Sequence, residues 1–192
     1  MNLIKYLQAQ GLGSRKLCTE LVRSGAVALN RKVLLDDYAS IQPDKIHTLH
    51  IHEQEIVTVP LPYFYLVLHK PAHYETSHKP QQYPSVFSLL PDNIRALTPQ
   101  AVGRLDADTT GVLLITNDGQ FNHRLTSPKH KVKKIYRVRL KHPADDTLCL
   151  TLCHGVRLHD DDETVRAHAA QLLHPTVLML TLTEGKYHQV TR

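Results

Sequence analysis

The chain has 192 residues, enough for one well-packed core or for a small domain beside a larger one. Its residues are 42% hydrophobic and 21% charged, no apolar run approaches the length of a membrane span, and the first residues lack the pattern of a signal peptide. These features exclude a membrane-spanning protein, and three cysteines are too few for a disulfide framework, so we expect a cytoplasmic protein.

Basic residues are concentrated in two segments of the chain, whose formal net charge is +5. Residues 1–35 contain six lysines and arginines against one acidic residue, and residues 121–142 contain eight with no acidic residue. One such segment is more often solvated surface, but two favour a partner long enough to contact both. The charge pattern therefore favours binding to a polyanion such as a nucleic acid.

The first part of the chain has the pattern of two helices followed by a hairpin. Apolar residues at helical spacing predict a helix over residues 2–10, and Ser14 is a suitable N-cap for a second helix that ends near Gly25. The exposed side of this second helix would carry its basic residues, Arg15, Lys16 and Arg23. Residues 26–35 alternate around an Asn-Arg turn, which predicts a hairpin, and one further strand is predicted near residues 50–57.

A proline-rich stretch, residues 60–62, separates this module from a longer part in which strands dominate. The segments with the strongest strand patterns are residues 63–68, 112–115, 134–140 and 177–182. Short helices are predicted at residues 120–125 and after Asp145, and residues 72–84 have the composition of an exposed loop. We therefore predict an α+β protein with a small α/β-hairpin module over residues 1–59 and a larger, mainly antiparallel-sheet domain over residues 60–192.

The segment with the most chemical information is a loop with two carboxylates, Gly103-Arg104-Leu105-Asp106-Ala107-Asp108-Thr109-Thr110-Gly111. Its glycines permit backbone angles that other residues resist. The apolar run over residues 112–115 is typical of a strand buried on both faces. A rigid strand beside a tight loop can hold a reactive oxygen still, as a nucleophile or a general base requires, and Asp106 is the candidate for that role.

Three other interpretations of this loop were weighed. A calcium loop needs a bidentate glutamate at its twelfth position, where Asn117 stands, so we reject it. A glycosidase needs two carboxylates on opposite sides of the scissile bond, and Asp106 and Asp108 are close along one backbone. In the third interpretation Asp106 caps a turn and Asp108 is solvated, and spacing alone does not decide between this and a catalytic role.

Fourteen histidines invite a search for a metal site, and the best cluster is Cys149-x-x-x-Cys153-His154. On a helix, Cys149 and Cys153 lie on one face beside Leu148 and Leu152, which is the pattern of a core stripe. Zinc sites rarely use this spacing with an adjacent histidine. We therefore predict no metal site.

Four segments resemble, in the same order, the motifs of the RNA pseudouridine synthase family. The loop with the following strand, residues 103–114, resembles its catalytic motif, and residues 68–72 resemble its first motif. Residues 134–138 resemble the motif that carries the active-site tyrosine, and residues 184–190 resemble the last active-site motif. We expect the C-terminal part of the catalytic domain to be missing, because relatives continue beyond this last motif.

The N-terminal module resembles the S-four-type RNA-binding domain. The residues that carry this resemblance are Leu3, Gly11, Ser14-Arg15, Leu21-Val22, Gly25, Val27, Asn30 and Val33. Within the synthase family, His188-Gln189 and residues 126–130 are similar to the branch that modifies small-subunit (16S) ribosomal RNA. The resemblance implies a monomer that binds this RNA or a small-subunit assembly intermediate, with no membrane and no small-molecule cofactor as partner.

The resemblance implies isomerisation of uridine to pseudouridine, which needs no cofactor. Asp106 would be the nucleophilic or proton-abstracting carboxylate, and Tyr136 would stack on the target uracil. Arg192 would be the cation paired with Asp106, although Thr191 stands where relatives often carry a basic residue. Periodicity alone also allows Tyr136 to be a core aromatic residue on a strand, sharing a face with Val138 and Leu140.

The resemblance and the charge pattern together suggest a set of RNA-contacting residues. These are Arg15, Lys16, Arg23, Lys70, Arg104, Lys133 and Lys134. For Arg104 the alternative is an ion pair with Asp108, and for Lys70 it is an ordinary surface position. The competing function is a non-catalytic RNA-binding or ribosome-assembly protein on the same scaffold.

Overall fold

A computed structural model of the protein describes residues 1–158, 164–185 and 190. The helices are α1 (Leu3–Ala9), α2 (Arg15–Arg23), α3 (Asp92–Ala96), α4 (Gly119–Thr126) and α5 (Asp146–His154). The strands are β1 (Val27–Leu29), β2 (Lys32–Val33), β3 (Leu49–Ile51), β4 (Gln54–Ile56), β5 (Tyr65–Lys70), β6 (Gln100–Ala101), β7 (Gly111–Thr116), β8 (Lys134–Arg139), β9 (Val156–Arg157), β10 (Thr164–Val165), β11 (Ala169–His174) and β12 (Val177–Leu182). Single 3₁₀ turns cover Pro43–Lys45, Val86–Leu89 and Pro128–His130.

The predicted α+β class is confirmed, because the named strands pair antiparallel in sheets accompanied by short helices. The chain forms two compact units, Met1–Asn122 and His123–Arg192. The domain boundary that we predict at residues 59 and 60 remains a prediction. Among the described residues, no helix is both long and apolar enough to cross a membrane.

The first unit begins with the two predicted helices and the predicted hairpin. Asn2 Oδ1 accepts a hydrogen bond from the N–H of Ile4 at 2.9 Å, and Ser14 Oγ caps α2 by accepting from the N–H of Leu17 at 3.3 Å. These helices pack on a sheet of order β2-β1-β3-β4. The shared core contains fully buried side chains from every part of this module, namely Leu3, Leu7, Cys18, Val22, Val27 and Leu49.

The prediction of a single strand near residues 50–57 is wrong, because β3 and β4 form a hairpin there. His52 and Glu53 reverse the chain with φ of 49° and 67°, the same left-handed pair of angles as Asn30 and Arg31 in the first hairpin. Two-residue hairpin turns of this kind usually contain Asn or Gly. Neither residue is present at these two positions, so the sequence carried no turn signal.

A second sheet in the first unit supports the carboxylate loop. It has the order β5-β7-β6, with Leu68 opposite Leu113 and Lys70 opposite Gly111. Leu113 and Ile115 are buried on one side of β7, whereas Val112 is 69% exposed. The prediction that this strand is buried on both faces is therefore wrong, since a continuous apolar run does not reveal which side is covered.

The side-chain amides of Gln10 and Asn93 join the end of α1 to the later part of the first unit. The fully buried side chain of Gln10 donates to the carbonyl of Val59 at 2.9 Å and accepts from the N–H of Val59 at 2.7 Å. Asn93 Nδ2 donates to the carbonyls of Gln10 and Val57, both at 2.9 Å. Gly11 lies against this contact with φ of 77°, and a Cβ atom there would be 1.8 Å from the carbonyl oxygen of Asn93.

The second unit is built on a sheet of order β11-β12-β8, with α5 packed against it. The helix predicted after Asp145 is α5, and the Asp145 side chain caps it by accepting from the N–H of Thr147 at 2.9 Å. Cys149 faces the core of this unit and Cys153 is exposed. Within residues 1–158, 164–185 and 190, no three His, Cys, Asp or Glu side chains are grouped so as to hold a metal ion.

Replacing Gly11 by alanine should lower the free energy of unfolding by about 3 kcal/mol. The new methyl group would collide with a backbone carbonyl, and an alanine would also have to adopt a left-handed backbone. The matched control is Gly119→Ala, at a position where a Cβ meets no atom within 4 Å. Urea unfolding of both variants measures the effect, and equal stability of the two would contradict the close packing of Gly11 on Asn93.

Candidate active site

The carboxylate loop lies between β6 and β7, and both of its glycines have the left-handed angles that the sequence predicted. The φ angles are 85° at Gly103 and 143° at Gly111, where the backbone, not crowding, requires glycine, because a Cβ would meet nothing within 4 Å. The N–H of Thr109 donates to the carbonyl of Asp106 at 3.1 Å, which closes a turn. Asp106 is half-buried and Asp108 is exposed.

Lys70, at the end of β5, lies directly beneath this loop. Its side chain is 0% exposed, and its ammonium donates to the carbonyls of Pro71 at 3.0 Å, Ala107 at 3.0 Å and Thr109 at 2.8 Å. Burial lowers the pKa of this ammonium, while the negative charges of Asp108 and then Asp106 act in the opposite direction. A buried cation therefore binds the loop backbone on both sides of Asp108.

The residue before Asp106 is fixed by a hydroxyl group. Thr76 Oγ1 donates to the carbonyl of Leu105 at 2.9 Å and accepts from its N–H at 3.3 Å, so that one side chain satisfies both backbone groups. This contact joins residues 29 apart in sequence. A threonine in a polar loop gives no local sign of such a partner, and the sequence analysis missed it.

The residue after Asp106 is fixed by three donors. The carbonyl of Ala107 accepts from the Lys70 ammonium, from the N–H of His73 at 2.7 Å and from the N–H of Tyr74 at 3.3 Å. Together with Thr76, these donors hold the backbone on both sides of Asp106. A carboxylate on such a backbone is positioned before any substrate binds, which is what efficient nucleophilic or general-base catalysis requires.

The prediction that Lys70 contacts RNA is wrong, because its buried ammonium is already bonded to three carbonyls and has no exposed surface. Arg104 is exposed within the loop, and no ion pair joins it to Asp108 among the described residues. Arg15 and Lys16 are exposed at the start of α2. Arg23, on the same helix, instead forms an ion pair with Asp37 at 3.0 Å.

The remaining predicted site residues belong to the second unit or lie outside the described residues. Tyr136 is half-buried on β8 and packs, with Val138 and Leu140, against the core of its unit. Lys134 is half-buried at the start of the same strand and Lys133 before it is exposed. Arg192 lies outside the described residues.

Replacing Lys70 by methionine should lower the free energy of unfolding by about 2 kcal/mol, because buried carbonyls lose a charged donor without gaining another. Lys79→Met is the matched control, since Lys79 is an exposed lysine of the same unit, and should change stability by less than about 0.5 kcal/mol. Thermal or urea unfolding compares the two. A smaller loss at Lys70 than at Lys79 would contradict the role of the ammonium beneath the loop.

Comparisons with known proteins identify the family to which the chain belongs. Residues 64–192 match the family model described as RNA pseudouridylate synthase. The chain is 33% identical to Ribosomal small subunit pseudouridine synthase A of Yersinia pestis over 192 residues, which is all of this chain and 80% of the relative. It is 36% identical to the protein of the same name from Vibrio parahaemolyticus, over 100% of this chain and 81% of the relative.

A solved structure also points to this family. The crystal structure of a pseudouridylate synthase superposes with a TM-score of 0.64 at 29% sequence identity, and covers 100% of this chain and 81% of that one. The fold, the carboxylate loop and the family match over residues 64–192 lead to one conclusion: the chain belongs to the RNA pseudouridylate synthase family.

Proposed function

We propose that this synthase converts a uridine of small-subunit (16S) ribosomal RNA to pseudouridine, with Asp106 as the catalytic carboxylate. The assignment is supported by the position of Asp106 in the loop that resembles the family's catalytic motif, which lies within the segment that matches the family model. The backbone on both sides of Asp106 is bonded, by Lys70 and by Thr76. The RNA is proposed from relatives named as ribosomal small subunit synthases. The protein would act in the cytoplasm as a monomer.

The reaction breaks the bond between ribose C1′ and uracil N1, turns the base, and joins C1′ to uracil C5. The proton that leaves C5 is balanced by one taken up at N1, so atoms and electrons are conserved without a cofactor. A carboxylate can act either by attacking the reacting centre or by removing a proton from it. Either role requires an ionised Asp106 held at a fixed distance from the substrate.

Two residues would complete the site. Tyr136 is anchored by the core of its unit and would present its ring to the target uracil as a stacking partner. Arg192 would supply a guanidinium for Asp106. The target uridine must leave its own stack to reach these groups, which costs a few kcal/mol and must be offset by other contacts to the RNA.

Phosphate contacts would offset that cost. Arg104 is exposed beside the reacting carboxylate, and Lys133 and Lys134 lie at the start of β8. Arg15 and Lys16 would contact a more distant part of the RNA from α2. Arg23 contributes less in this proposal, because its charge is already paired with Asp37.

Replacing Asp106 by asparagine should lower the rate of pseudouridine formation by about 10³-fold or more while RNA affinity stays the same, because the change removes the charge but keeps the shape. Release of tritium from C5 of labelled uridine measures the rate, and gel shift measures affinity. The matched control is Asp108→Asn, an exposed carboxylate two residues away, which should keep most of the activity. Full activity of the Asp106 variant would refute the assignment and favour a non-catalytic RNA-binding role.

Replacing Arg15 and Lys16 together by alanine should weaken RNA binding about ten-fold at low salt and make the slope of log K against log salt shallower by about 1.4. Arg23→Ala should leave that slope nearly unchanged, because the Arg23 charge is compensated within the protein. Titrations at several salt concentrations give both values. Equal slopes for the native protein and the double variant would show that α2 does not contact the RNA backbone.

A further inference from the structure

The loop between β5 and the 3₁₀ turn at Val86–Leu89 carries a feature that the reaction itself does not explain. His73 has a φ of 64°, a left-handed conformation that costs energy for a residue with a side chain and none for glycine. Its imidazole is exposed. Backbone angles of this kind cluster at functional sites, where a side chain is held in place for a purpose.

The position of His73 is fixed relative to the reacting carboxylate. Its backbone N–H donates to the carbonyl of Ala107 at 2.7 Å, and Ala107 is the residue directly after Asp106. Tyr74, the next residue, donates to the same oxygen at 3.3 Å. The exposed imidazole is therefore carried on backbone that is bonded directly to the catalytic loop.

A second aromatic ring lies against this imidazole. The ring centroids of His73 and Tyr83 are 5.4 Å apart, with the planes tilted by 35°. This separation is too short for a base to be inserted between the two rings, so Tyr83 supports the imidazole from one side. His73 is nevertheless exposed, so it keeps surface that a partner can contact.

Tyr83 is itself held by a closed loop. The Glu75 carboxylate accepts from the N–H groups of Tyr83 at 2.9 Å, Gln82 at 2.7 Å and Gln81 at 3.0 Å, and these bonds, that from Tyr83 first, hold the pKa of the Glu75 carboxyl below its ordinary value. The backbone of Glu75 also bonds to that of Pro84 at 2.9 Å and of Val86 at 2.8 Å. The two aromatic rings are thus positioned before any ligand binds.

We propose that His73, supported by Tyr83, is a stacking surface for the base next to the target uridine. Histidine and tyrosine rings are common stacking partners for unstacked RNA bases, and turning one uridine out of its stack leaves a neighbouring base without a partner. The backbone of His73 is bonded to Ala107, the residue after Asp106, so a nucleotide that flanks the target uridine is the expected partner of the imidazole. This inference rests on the proposed function and adds a determinant of substrate affinity to it.

The test replaces His73 by glycine and by asparagine in the full chain. Both residues accept the left-handed backbone, and asparagine keeps a polar side chain while removing the aromatic ring. We expect both variants to raise KM for an RNA oligonucleotide that contains the target uridine by about ten-fold, with kcat unchanged and the melting temperature equal or higher. Thr98→Gly is the control, because Thr98 is another exposed residue with a positive φ, 49°, and should leave KM unchanged.

Abasic substitution in the RNA identifies the base concerned. Removing the base on one side of the target should raise KM of the native protein by about ten-fold and should have no added effect in the His73→Gly variant. An unchanged KM in both His73 variants would overturn the proposal. It would also be overturned if the abasic RNA raised the KM of the His73→Gly variant as much as it raises that of the native protein.

These outcomes are separate from failure of the proposed function. If the native protein bound the RNA without forming pseudouridine, the isomerase assignment would fail. The stacking surface would then be tested by measuring dissociation constants with fluorescence anisotropy, using the same variants and the same abasic RNAs. Equal dissociation constants for the native protein and both His73 variants would overturn it there as well.

Discussion

The Lys70 ammonium holds the carboxylate loop in its conformation. A lysine side chain is almost never fully buried unless its charge is compensated, and here three carbonyl oxygens and the field of two nearby carboxylates provide that compensation. Two of those carbonyls belong to the loop itself. The loop and the lysine therefore satisfy each other, since neither the buried charge nor the inward-facing carbonyls would be stable alone.

This arrangement explains how a short loop without regular hydrogen bonding can position Asp106, the proposed catalytic group. Thr76 fixes Leu105, while Lys70, His73 and Tyr74 fix Ala107. The carbonyl of Asp106 closes the turn by accepting from the N–H of Thr109. These donors bind the backbone of the residues on either side of Asp106, so the position of the proposed catalytic residue is set by its neighbours.

Local patterns in the sequence predicted the local features of the structure. The cap at Ser14, the helix after Asp145 and the unusual backbone angles of the loop glycines depend on a few adjacent residues, and the sequence predicted each of them. The catalytic candidate was found in the same way, because both the motif and its glycines lie within nine consecutive residues. The hairpin turn at His52 and Glu53 was missed because its residues are not typical of such turns.

Contacts between distant segments were not predictable in this way. Pairing of β5 with β7 creates both the bond from Thr76 to Leu105 and the burial of Lys70. The residues next to Thr76 and Lys70 in the sequence give no sign of either contact. Charge was a misleading guide at Lys70, since a lysine after a strand is most often at the surface. At Arg23, charge alone did not reveal the ion pair with Asp37, which a loop beyond the first hairpin supplies.

A structure of the Asp106→Asn variant bound to RNA with an intact target uridine would test whether the loop is positioned in advance. We predict that the side chain of residue 106 lies within about 3.5 Å of the ribose C1′ or the uracil, with the three Lys70 hydrogen bonds kept. A uridine bound away from residue 106, or a loop that has moved off Lys70, would contradict this account.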